Sequence, residues 1–143
     1  MPLYADEVYN EGITMAHILI VDDEEMDRLL GRAALEDAGH QLLFAPDGEA
    51  ALRAYQNNDI DLIITDLAMP NMDGMQLIEQ ILAEDKGALI IAVSGVSPEQ
   101  LELAESRGAY RTMQKPYGAF ELLEAVTQTL DSTKLPPPDD LWA

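Results

Sequence analysis

Five short aliphatic runs alternate with five stretches of helical period along this chain, and none of the junctions carries the two-residue turn signal that joins antiparallel neighbours. Strands connected only through helices run parallel, by right-handed crossovers, and the helices cover both faces of the sheet. The predicted fold is therefore α/β, a doubly wound five-stranded parallel sheet with five helices. The predicted strands are residues 18–21, 40–45, 61–65, 88–93 and 109–113, the last being the weakest in apolar character. No repeat at the 20–50-residue scale is present.

The helices are delimited by period and by punctuation. Residues 24–38 place Met26, Leu29, Leu30, Ala33 and Ala34 on one face, expected to point inward, with Gly39 as the stop. Asp47 caps a second helix that runs to about residue 57. Leu77, Ile78, Ile81 and Leu82 mark a third. Ser97-Pro98-Glu99-Gln100 combines capping-box spacing with proline at the first helical position, and Gly108 closes the helix it opens. The last helix, residues 119–130, is expected to face inward with Phe120, Leu123, Val126 and Leu130.

A length of 143 residues and an apolar fraction of 48% suit one globular domain with a real core, assigned here to residues 16–131. Residues 1–15 lack a period and form an N-terminal extension, with Met15 as an alternative start. Residues 132–143 contain Pro136-Pro137-Pro138 and further acids, and read as an extended tail. No apolar run approaches the roughly 18 residues that span a bilayer, and the chain opens without a secretory signal. The absence of cysteine excludes thiol chemistry and Cys-type zinc sites, and fits a reducing compartment, the cytoplasm. A net charge of −19 repels phosphate backbones and anionic membranes, so nucleic acid and membrane are excluded as partners. A basic protein surface or a divalent cation suits this field.

In a doubly wound sheet, chemistry sits beyond the carboxyl ends of the strands. Those ends carry Asp22-Asp23, Asp66, Ser94 and, just past the fifth strand, Lys115. Three carboxylates at one edge repel one another unless a cation intervenes, and hard oxygen donors without Cys or His suit Mg²⁺ better than zinc. The ammonium and the hydroxyl can each take one oxygen of a phosphoryl group, and the metal a third. An aspartate can itself be the nucleophile, forming an acyl phosphate. Together they fit phosphoryl transfer onto Asp66.

The segments Ile18-Leu19-Ile20-Val21-Asp22-Asp23-Glu24 and Asp66-Leu67-Ala68-Met69-Pro70-Asn71-Met72-Asp73-Gly74, with Ser94 and Lys115-Pro116-Tyr117, resemble the receiver domain of two-component response regulators. The likeness covers residues 16–131, and in this order and spacing the set is highly specific. It implies a flavodoxin-like fold of the receiver type and a phosphorylatable switch rather than an enzyme. Asp66 would be the phosphoacceptor. Asp23 would ligate Mg²⁺ directly, Asp22 through water or by placing the metal, and the backbone carbonyl of Ala68 would be a further ligand. Ser94 and Lys115 would hold the phosphoryl group, Ser94 moving inward to report it, and the Lys115–Pro116 bond would be cis. The implied partners are a sensor histidine kinase or phosphotransfer protein and a downstream protein target, with a homodimer left open. The changing surface would lie around the fourth helix and fifth strand.

Two departures from the family pattern bear on output. Thr112 stands where relatives place the switch aromatic, three residues before the lysine, and the nearest aromatic is Tyr110. The chain also stops soon after the last helix, so a single-domain regulator would act by docking. Two competing functions are set against the switch. A small phosphatase with an aspartate nucleophile needs a general acid two residues on, where this chain has Ala68. A receiver-like module working without phosphorylation would not need the complete set of site residues. His17 and His40 lack matching partners and read as structural, as do Tyr110 and Tyr117.

Overall fold

A computed structural model describes residues 15–95 and 98–132. Its elements run β1 (His17–Val21), α1 (Glu25–Leu35), β2 (Gln41–Ala45), α2 (Gly48–Asn57), β3 (Leu62–Asp66), α3 (Gly74–Glu84), β4 (Ile90–Ser94), α4 (Pro98–Ser106), β5 (Arg111–Gln114) and α5 (Ala119–Ser132). The strands form one parallel sheet in the order β2-β1-β3-β4-β5. The direction of winding reverses between β1 and β3, which opens a crevice at their carboxyl ends.

Strands β1 to β4 divide their side chains between two cores, as the two-residue period requires. Leu19, Val21, Ile63, Ile90 and Ala92 pack beneath α2, α3 and α4, against Ala51, Leu77, Ile78, Ile81 and Leu101. Ile18, Ile20, Leu62, Ile64, Ile91 and Val93 pack beneath α1 and α5, against Ala34, Leu35, Leu122 and Val126. Burial on both faces explains why β1, β3 and β4 read as continuous aliphatic runs rather than as alternating ones.

Two inward faces differ from the sequence expectation. On α1, Met26 is 72% exposed, and Leu29 and Ala33 also face solvent; Gly31, Ala34 and Leu35 are the buried positions. The helix sits on its glycine. A β-carbon on Gly31 would stand 2.8 Å from Ile20 Cδ1, so the helix approaches the sheet closely there, and counting apolar residues passes over a glycine contact. On α5, the buried stripe is Leu122, Ala125, Val126, Thr129 and Leu130. Phe120 lies two residues before that stripe, about 200° around the helix from Leu122, and is 76% exposed.

Boundaries moved by a few residues. Helix α1 ends at Leu35, where Glu36 N–H donates to the Arg32 carbonyl at 2.9 Å. Gly39, at φ 95°, instead closes the turn that follows, with its N–H on the Glu36 carbonyl at 3.0 Å. Asp47 caps α2 by accepting from Ala50 N–H at 2.8 Å. Gly108 ends the turn after α4 at φ 118°. The proposed cap at Ser97, the 1–14 part of the extension and the proline run lie outside the described residues. Among the described residues, no helix is long and apolar enough to cross a membrane.

Candidate functional site

Register decides which side chains meet at the sheet edge. Val21 pairs with Thr65, Asp66 with Val93, and Ser94 with Gln114, so the residues at or just past these positions emerge side by side. Asp22 leaves β1 buried, its N–H donating to the Ala45 carbonyl at 3.1 Å. Asp66 ends β3 in a run buried at every position, and is itself only 7% exposed. Asp23 is solvent-exposed beside them. Ligand oxygens of Asp22, Asp23 and Asp66 all lie within 4.8 Å of one another.

Lys115 binds this cluster together. Its Nζ lies 2.9 Å from Asp22 Oδ2, 2.8 Å from Asp27 Oδ2 and 3.4 Å from Asp66 Oδ2. The lysine is placed by the backbone, with Lys115 N–H donating to the Ser94 carbonyl at 2.9 Å, and the Lys115–Pro116 peptide is cis. Burial alone would lower the ammonium pKa, but the hydrogen bonds it donates to Asp22 and Asp27 outweigh it and hold the group above its ordinary value. At Asp22 burial wins over the help of Lys115, and the carboxyl is pushed up from the usual aspartate value. Burial also pushes the Tyr117 hydroxyl up, to about 12.

Ser94 is buried at the end of β4 and lines a cavity of about 370 Å³ with Leu67, Ala68, Met69, Asp73 and Gln100. Ala68 is exposed, and its N–H points at Asp66 Oδ1 from 3.4 Å. The loop from Asp66 to α3 is short and internally tied: Leu67 N–H donates to the Val93 carbonyl at 3.1 Å and Gly74 N–H to the Leu67 carbonyl at 3.0 Å. Asp73 and Gln76 form a reciprocal capping box that starts α3.

Asp22, Asp23, Asp66, Ala68, Ser94 and Lys115 are therefore brought to one edge. Asp27 was not foreseen. It sits in the first turn of α1, and the available signal was positional: a helix that begins at the site turns its first inward residues back over it. Thr112 is half-buried in β5 opposite Ala92, and Tyr110 O–H donates to Ser132 Oγ at 2.6 Å, which anchors it on the far end of α5. The histidines are structural in their contacts. His40 Nδ1 accepts from Ala16 N–H at 3.1 Å, and His17 faces Asp61 at 3.5 Å.

The donor set fits a magnesium ion. Three carboxylates offer oxygen without nitrogen or sulfur, and ligands at about 2.1 Å from one ion stand at most about 4.2 Å apart, close to the spread observed.

The response regulator receiver domain family matches residues 18–127. The chemotaxis protein CheY of Bacillus subtilis is 34% identical over 120 residues, covering 82% of this chain and 100% of that protein. The sensory/regulatory protein RpfC of Xanthomonas campestris pv. campestris is 30% identical over 122 residues, and there the chain spans only 17% of the relative's length. The structure of the chemotaxis response regulator CheY4 of Vibrio cholerae superimposes with a TM-score of 0.76 at 32% identity, covering 82% of this chain and 100% of that one.

Proposed function

The chain belongs to the response regulator receiver domain family, and on that premise we propose that it is a switch phosphorylated on Asp66 by a sensor histidine kinase or a phosphotransfer protein. Receiver domains are phosphoacceptor switches rather than classical enzymes, and they generally bind Mg²⁺ at an acidic pocket. The observation that carries the proposal is the position of Lys115 Nζ, between Asp22 and Asp66 and beside the three-carboxylate cluster.

In the transfer, the Asp66 carboxylate forms a bond to phosphorus as the P–N bond to the donor imidazole breaks, and the imidazole keeps the electron pair and takes up a proton. Asp22, Asp23, Asp66 and the Ala68 carbonyl would hold the ion, which supplies positive charge against the phosphoryl oxygens. Lys115 supplies a second positive charge at the same edge, and Ser94 a hydroxyl from the cavity it shares with Ala68. Ala68 offers no proton to a leaving group, which argues against turnover of external phosphoesters.

Output is assigned to a partner that docks where α4 and β5 respond to Ser94. With Thr112 in place of an aromatic, and Tyr110 bonded to Ser132, that response does not run through a tyrosine turning toward Ser94. Residues 16–131 are proposed as the receiver unit, between an extension and an acidic tail, working in the cytoplasm where ATP-fed kinases act. The test is incubation with Mg²⁺ and acetyl phosphate followed by intact-mass measurement. A gain of one phosphoryl group that Asp66→Asn abolishes is expected; no gain, or one that persists in Asp66→Asn, overturns the assignment.

A further inference from the structure

Lys115 has three N–H donors and three carboxylates within reach, and these partners are not equivalent. Asp22 and Asp66 belong to the cluster that would hold a cation, whereas Asp27 does not. A divalent ion draws on the oxygens of Asp22 and Asp66 and repels the ammonium, and phosphorylation converts the Asp66 carboxylate to an acyl phosphate, a mixed anhydride without the carboxylate's own charge. Between them these events weaken two of the lysine's three contacts. The third, and the shortest at 2.8 Å, goes to Asp27.

Asp27 is itself held in place relative to the site. Its helix is pinned to Asp22 at two points, by Glu24 N–H on Asp22 Oδ1 at 3.0 Å and by Arg28 Nη1 on the Asp22 carbonyl at 2.7 Å. Asp27 lies between these two anchors, in the first turn of a helix seated on the sheet through Gly31. Its side chain is 34% exposed and that of Lys115 only 19%, so the pair is partly shielded from water.

We propose that Asp27 is a positioning residue for phosphoryl transfer, holding the Lys115 ammonium over the reacting carboxylate by the one bond whose acceptor is neither a member of the cation cluster nor the phosphorylated carboxylate. This rests on Asp66 as the acceptor. Without Asp27 the lysine leans onto Asp22 and Asp66, where it opposes the ion, or swings into solvent. In either case it is misplaced when the phosphoryl group arrives.

The test compares the full chain with Asp27→Asn, Asp27→Glu, Lys115→Ala and the Asp27→Asn/Lys115→Ala double variant. The first readout is the rate of acetyl-phosphate-dependent mass gain at saturating Mg²⁺. Asp27→Asn is expected to slow it about tenfold, the scale of a small misplacement of a reacting group. Asp27→Glu recovers most of the rate, and Asp27→Asn has no further effect once Lys115 is alanine. The second readout needs neither metal nor donor: the exchange of the Lys115 ammonium protons, followed by ¹⁵N NMR, speeds up in Asp27→Asn. A rate equal to or above wild type, the same loss on the Lys115→Ala background, or unchanged ammonium exchange overturns the proposal. If the wild-type chain takes no phosphoryl group, the Asp66 assignment fails, and the exchange measurement still decides whether Asp27 holds the lysine.

Discussion

Gly74 lies so close to the backbone of Asp66 that a β-carbon built on it would stand 2.2 Å from the Asp66 carbonyl oxygen and 2.7 Å from the Leu67 α-carbon. The first residue of α3 and the last of β3 thus share one volume, and only hydrogen fits between them. The loop carrying Ala68 is folded tightly enough to bring its N–H toward Asp66 because that contact is allowed. Gly74→Ala should therefore destabilise the fold by on the order of 1–3 kcal/mol, the usual cost of overpacking, and slow phosphorylation of Asp66 as well. Urea unfolding read by circular dichroism, alongside the mass assay, checks both; unchanged stability would show that the loop can yield.

The expected and the observed core faces of α5 separate cleanly by substitution. Phe120 is exposed and Leu122 is 1% exposed. Phe120→Ala should change stability by no more than about 0.5 kcal/mol, as surface substitutions do. Leu122→Ala should cost about 2–5 kcal/mol. Denaturant midpoints of the two variants give the comparison directly.

His40 should make stability fall on acidification. Burial lowers its pKa from 6.5, and its Nδ1 must stay unprotonated to accept from Ala16 N–H. The unfolded chain therefore binds the proton more readily. The stabilisation is present above the unfolded value and is lost as pH falls through it toward the lowered one. Asp37 and Asp131 line the cavity beside His40 and temper the effect. The stability gap between wild type and His40→Leu should shrink from about pH 7.5 to about pH 5, with the wider consequences of the −19 charge common to both proteins. A gap that stays constant across this range would contradict the assignment.

Magnesium should stabilise the folded chain, because the three carboxylates it would join are assembled only there. At a hundred times its dissociation constant the gain is about 2.7 kcal/mol by linkage. Asp23→Ala should remove most of it, and chelation all of it. The pH dependence has a definite sign. Asp22, whose pKa is raised by burial, must lose its proton to help hold the ion, so the gain shrinks as pH falls toward the carboxylate range. Thermal melts with and without Mg²⁺ at several pH values provide the measurement.

The alternation of buried runs and helical periods was enough to determine the parallel α/β fold, because five strands joined only through helices have few ways to pack. It was enough, too, to bring Asp22, Asp23, Asp66, Ser94 and Lys115 to one edge, since strand ends in such a sheet share a side. Two things were left to the tertiary structure. The rotation of α1 brings Gly31, Ala34 and Leu35 onto the sheet, and the Gly31–Ile20 approach, made by the absence of a side chain, is invisible to apolar periodicity. The pairing of Lys115 with Asp27, 88 residues apart, was decided by where that rotated helix begins. Period and punctuation act within a segment, whereas the seating of one segment on another depends on distances no single segment contains.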